Sequence, residues 1–176
     1  IAGLVFAIFN AHLVFYLTQT LGSEKPATDV YSVLQLSLIG GTVLFGIVAD
    51  RFSVPRMMIF CYTAPALATC ILFVPHTLPI ALLFALCCGI PVGGRQALFP
   101  VALGYSFGPT HLAAIYGLSN SFFLIGNAAG PLLAGAIYEE AGDSSKAVYA
   151  TAVGLFLLSG ILTTLMRREV GKNHVK

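Results

Sequence analysis

Long apolar runs broken by short polar segments make up almost the whole chain. A helix needs about 20 apolar residues to cross the hydrocarbon core of a bilayer, so Ile1–Leu21 is a first predicted span. The octet GSEKPATD follows it, and Val30–Ala49 is a second span that ends in the charged stretch GIVADRFSVPRM, Gly46–Met57. From Met57 to Gly94 no charge appears, which is too long for one crossing. The two prolines of VPHTLP divide it into a third span, Met57–Val74, and a fourth running from about Pro79 to Tyr105. SFGPTH carries a Gly-Pro turn signal and separates the fourth span from a fifth, Leu112–Tyr138. After EEAGDSSK, Ala147–Met166 is the sixth. The pattern predicts an all-α integral membrane domain of six transmembrane helices over residues 1–168, followed by a polar tail, 169–176.

Composition strengthens that reading. The chain of 176 residues is 57% hydrophobic and only 9% charged, with a mean hydropathy of +0.89. Soluble domains carry about 25% charged residues, so lipid is the expected solvent and the bilayer the expected partner. No dense basic cluster with interleaved aromatics points to nucleic acid. Cys61, Cys70, Cys87 and Cys88 lie inside apolar runs without metal-ligand spacing, the behaviour of small buried hydrophobes, and neither a metal nor a cofactor is expected.

Charge also sets an orientation. The segment after span two and the C-terminal tail hold Arg51, Arg56, Arg167, Arg168, Lys172 and Lys176, whereas the loops after spans one and five hold Lys25 and Lys146 among five acids. The positive-inside rule places the first group in the cytoplasm, the C-terminus included, with the plasma membrane as the expected location. Ile1 lies within an apolar run without the features of a signal peptide, and the chain reads as the rear part of something longer.

Polar groups within spans usually face the bundle interior or a cavity. His12, Tyr16 and Gln19 share one face of span one, Gln35 and Thr42 one face of span two, and Tyr116, Asn120 and Asn127 one stripe of span five. These stripes are candidates for lining a common cavity, with interhelical hydrogen bonding as the alternative. Arg95 is the sharpest candidate. It precedes Tyr105 by ten residues, about 15 Å of helix, and Arg facing lipid at such a depth costs at least about 2.5–3.5 kcal/mol. An anionic substrate, an acidic partner from outside these residues, or a shallower position are the three ways to offset this. Small residues recur beside the polar stripe of span five, at Ser119, Gly126 and Gly130, and in span four at Gly89 and Gly93. Such spacing lets helix backbones approach closely, and the step Gly130–Pro131 adds a candidate hinge.

Gly46, three residues, Asp50 and Arg51, then Arg56, at the end of an even-numbered span, resembles the loop signature of the major facilitator superfamily, with Ser53 in place of its second glycine. FPVALGYSFGPTHLAAIYGL followed by GNAAGPLLAGAIYEEAGD is similar to the tenth-to-eleventh-helix region of that family's monocarboxylate/oxalate-porter branch. The resemblance implies the C-terminal six-helix half of a twelve-helix bundle, working with an N-terminal half of the same chain. It also implies secondary transport of a small solute by alternating access. Gly46, Asp50, Arg51 and Arg56 would then form a conformational gate. Asp50 needs some such compensation, because it sits at the partially negative end of its own helix.

A monocarboxylate-like organic anion is the implied substrate class. Spans two and five lack the Lys or Arg that dicarboxylate carriers of the branch tend to hold there, so a monoanion or a neutral or amphiphilic solute stays open. A non-transporting sensor or partner-binding module on the same fold is the alternative function. An intramembrane enzyme is disfavoured, since no Asp or Glu lies mid-span and no His-Glu-x-x-His occurs.

Overall fold

A computed structural model of the chain describes residues 2–73, 77–142 and 145–173, with side chains up to residue 165. Its helices are α1 (Ala2–Leu21), α2 (Glu24–Val48), α3 (Val54–Cys70), α4 (Leu78–Phe107), α5 (Leu112–Glu140) and α6 (Ser145–Asn173), with one 3-10 turn, Ile71–Phe73, after α3. All six are long and apolar enough to cross a membrane.

Several helices extend past the apolar runs that announce them. Helix α2 begins at Glu24, six residues before Val30, and takes in most of GSEKPATD. The first-turn amides of a helix have no intrahelical acceptor, so Pro26 costs nothing there, and Glu24 favours the partially positive end. Helix α4 carries Pro91 and Pro100 in its interior without breaking. Helix α6 stays helical to Asn173, through most of the polar tail, while residues 174–176 lie outside the described residues. Gly108 closes α4 with a φ of +75°, a conformation that side chains with a Cβ rarely adopt.

The main packing pairs skip along the sequence. Helix α2 lies against α4, α1 against α5, and α3 against both α4 and α6, whereas α4 and α5 touch only lightly. Glycines set the first two seams. A Cβ at Gly41 would meet the Ile90 carbonyl, one at Gly93 the Leu38 carbonyl, and one at Gly89 the Leu34 carbonyl oxygen at 2.6 Å. On the other pair, a Cβ at Gly3 would meet the Phe123 carbonyl, one at Gly126 the Leu4 amide nitrogen at 2.9 Å, and one at Gly130 the Ala7 Cβ. Leu34 and Leu38 meet Gly89 and Gly93 in that order, and Gly3, Leu4 and Ala7 meet Phe123, Gly126 and Gly130 in theirs, so each pair runs parallel. Thr42 adds a hydroxyl-to-carbonyl bond across the first seam, donating to Gly93 O at 3.2 Å. Pro131, next to Gly130, is an exposed residue of the α5 interior.

Between the seams lies an aromatic and aliphatic core in which Phe9 meets Phe84, Tyr149 and Phe156 at ring-centroid distances of 5.9, 6.1 and 6.3 Å. The outside is equally apolar. Only 11% of the apolar stretch of α5 is buried, against 56% for α4, and Leu118, Phe122, Ile125 and Leu132 of α5 are largely exposed, as are Leu36, Ile39 and Ile47 of α2. Such faces are costly in water and ordinary in lipid. Most span hydroxyls bond their own helix four residues back, as Thr69 does to Pro65 O at 2.7 Å and Ser159 to Leu155 O at 2.9 Å, so packing rather than polar contact holds this bundle together.

Candidate functional site

Arg95 lies twelve residues before the end of α4 and is 8% exposed. Its guanidinium sits over the Phe123 ring of α5, 5.2 Å from the centroid, a cation–π contact strengthened where water is scarce. It makes no ion pair with the described residues. Beside it opens a cavity of about 390 Å³, walled by Arg95, Gln96 and Phe99 of α4 and by Tyr116, Ser119 and Asn120 of α5, with Tyr62 of α3 and the start of α1 closing it. The α5 residues recur at i, i+3, i+4 and i+7 through Phe123, so one helical face presents them all. Arg95 and Phe99 share a face of α4 in the same way. The side chains of Gln96, Tyr116, Ser119 and Asn120 have no hydrogen-bond partner among the described residues.

The cavity occupies the half of the bundle that holds the α2–α3 connection. Tyr62 lies eight residues into α3 and Tyr116 four residues into α5, about 12 and 6 Å from those helix starts. It lies where α4 and α5, each packed closely on another helix, touch only lightly, and it borders a charge that lipid or the apolar core would not readily accept.

The polar stripes do not all reach it. Tyr116 and Asn120 do, together with Arg95. Tyr16 does not line this cavity, and its contacts follow the interhelical alternative. It is 8% exposed within the core, packs on Tyr149 with ring centroids 4.9 Å apart, and donates its hydroxyl to Leu72 O in the 3-10 turn. A turn that ends a helix leaves carbonyls without amide partners, which is why a phenol is useful there. Tyr16→Phe should therefore lower stability by roughly 1 kcal/mol, the scale of one interhelical hydrogen bond, visible as a lower thermal midpoint in detergent. If Tyr16 touched substrate instead, apparent affinity would change and the midpoint would not.

His12 stacks on Tyr138 of α5 at 5.5 Å and 23°, with Phe15 edge-on to both. Nine residues of α1 separate it from Gly3 at the cavity, about 14 Å, so it belongs to an aromatic tie between α1 and α5. Gln19 is exposed near the end of α1, Gln35 is half-buried on α2, and Asn127 is half-buried one turn beyond Phe123; none of these three lines the cavity. Gly89, Gly93, Gly126 and Gly130 lie in the two helix seams.

In the charged segment after α2, Asp50, Arg51 and Arg56 are all exposed. None of their side chains pairs with another described residue, and Gly46 faces open space. Tyr62, Phe99 and Phe123 went unnoticed in the sequence. The spacing of Phe99 to Arg95 and of Phe123 to Tyr116 was a usable signal; for Tyr62 there was none.

Six apolar helices exposing hydrophobic faces, with a buried arginine bordering a cavity, define a multi-pass integral membrane protein in contact with lipid. The profile of the Major Facilitator Superfamily matches residues 1–176. The chain belongs to that superfamily, a family of transporters rather than of enzymes. No curated protein and no solved structure matches the chain.

Proposed function

We propose that this chain is the C-terminal six-helix half of a secondary transporter that carries a small organic monoanion, of the kind moved by the monocarboxylate/oxalate-porter branch. One observation carries the reading. Arg95 is almost fully buried, lacks an acidic partner among the described residues, and borders a cavity large enough for a small solute. A guanidinium so placed keeps its planar N–H donors for a carboxylate, which it can bind through two parallel bonds. The N-terminal half of the same chain completes the cavity, and rocking of the halves exposes it to each side in turn. Arg51 and Arg56 hold their segment in the cytoplasm, and the C-terminus with it, at the plasma membrane.

The test is flux. Full-length protein in proteoliposomes should take up short radiolabelled monocarboxylates saturably and exchange them with internal anion. Saturable binding without flux would instead identify a sensor on a transporter fold.

Asp50, exposed and without a partner among the described residues, acts in the same reading as a latch that closes on the other half in one state only. Asp50→Asn should shift the inward-to-outward ratio, measured by thiol labelling of single cysteines on the two sides of the membrane. Labelling identical to the parent protein would remove Asp50 from the gate.

A further inference from the structure

The lining of the Arg95 cavity says more than that an anion fits. Among the described residues its wall supplies one cation and no acid, so this half of it neutralises a single negative charge. A second carboxylate buried against this wall would have no partner on it, at a penalty larger than most hydrogen bonds return. Half of the remaining lining residues carry rings: Tyr62 from α3, Phe99 from α4, Tyr116 and Phe123 from α5, and Phe122, most of whose surface lies on the exposed face of α5.

Three of these rings already have geometric roles. Phe123 makes a cation–π contact with the guanidinium, Cζ 5.2 Å from the ring centroid, and the planar N–H groups along the edge of Arg95 are what a carboxylate would bond. Phe99 and Tyr116, both lining the cavity, meet at a centroid distance of 6.2 Å and a tilt of 49°. Aromatic rings prefer offset or edge-to-face neighbours over aliphatic ones of equal area. The volume of about 390 Å³ is near the small end of ligand cavities, suited to one or two rings.

We infer that this cavity takes an aromatic monocarboxylate, its carboxylate forked onto the edge of Arg95 and its ring among Tyr62, Phe99 and Tyr116. The inference rests on the cavity being the transport site, and it narrows the substrate from small organic anions to aryl acids. Asn120 and Ser119, without partners among the described residues, are placed to hydrogen-bond a ring substituent or the second carboxylate oxygen.

Uptake by full-length protein in proteoliposomes tests this with three probes. Benzoate has one charge and an aromatic ring; cyclohexanecarboxylate matches its charge and approximate size without the π system; phthalate keeps the ring and adds a second charge. Benzoate should show a half-saturation concentration roughly ten-fold below that of cyclohexanecarboxylate, the scale of one to two aromatic pairs, and phthalate should compete poorly. Phe99→Leu should bring the benzoate-to-cyclohexanecarboxylate ratio close to one. Equal half-saturation for benzoate and cyclohexanecarboxylate would overturn the aryl preference while leaving monoanion transport intact. Phthalate competing as well as benzoate would overturn the single-charge argument. No saturable flux or binding of any of the three, with short monocarboxylates still carried, would overturn the aryl inference alone; failure of the short monocarboxylates as well would overturn the transport-site reading itself.

Discussion

Alanine at Gly41 lowers stability, whereas alanine at Gly40, its neighbour, raises it or leaves it unchanged. The two positions differ by about 100° around α2, and that difference decides the sign. A Cβ at Gly40 meets nothing within 4 Å, while one at Gly41 collides with the Ile90 carbonyl oxygen and lies 2.8 Å from the Ile90 carbonyl carbon. Replacing an unobstructed helical glycine by alanine gains roughly 0.5–1 kcal/mol through reduced backbone freedom. At Gly41 the same gain is opposed by overpacking, typically 1–3 kcal/mol. The obstacle is main chain, so no rotamer change relieves it. Moving α2 outward would also open the contacts of Gly89 with Leu34 and of Gly93 with Leu38. Thermal midpoints of the full-length protein in detergent should therefore move in opposite directions for the two variants. Equal shifts would mean that the α2–α4 seam is looser than described.

Arg95→Gln removes the charge and keeps much of the length. If Arg95 holds the substrate anion, apparent affinity should fall by about thirty-fold or more, corresponding to the roughly 2–5 kcal/mol lost when one partner of a buried charge pair is truncated. Folding should survive, because Arg95 satisfies no acid among the described residues and its one described contact is the Phe123 ring. Arg95→Lys should rescue only part of the affinity, since an ammonium cannot offer two parallel donors to a carboxylate. Unchanged uptake by Arg95→Gln, together with a large fall in thermal midpoint, would make Arg95 a structural residue.

How much of this was legible depended on which physical signal each feature gives. The six helices could be read from run length and from the Pro and Gly breaks, because a bilayer demands both. Helix ends were harder: Glu24, Lys25 and Pro26 look like loop residues, yet all suit a first turn. Arg95 stood out because a charge amid apolar residues is rare. The destination of the polar stripes was not legible. Tyr16 and Gln19 share a helical face by spacing, but one is buried in the core and the other exposed. Spacing specifies a face and not the neighbour across from it. Hydropathy helps little here, because lipid, core and an aromatic cavity wall all favour the same side chains. For that reason hydropathy does not set Tyr62 and Phe123 apart from ordinary packing residues.

The glycine seams also have a mechanical consequence. A contact with no room for a methyl group has no room for slip, so α2 with α4 behaves as one stiff beam and α1 with α5 as another. The beams are tied less firmly to each other than each is within itself, and α4 and α5 meet only lightly. The cavity sits at that joint, with Arg95 on one beam and Tyr116 and Asn120 on the other. A ligand bridging Arg95 and Asn120 would act on the angle between two levers rather than on the shape of any single helix.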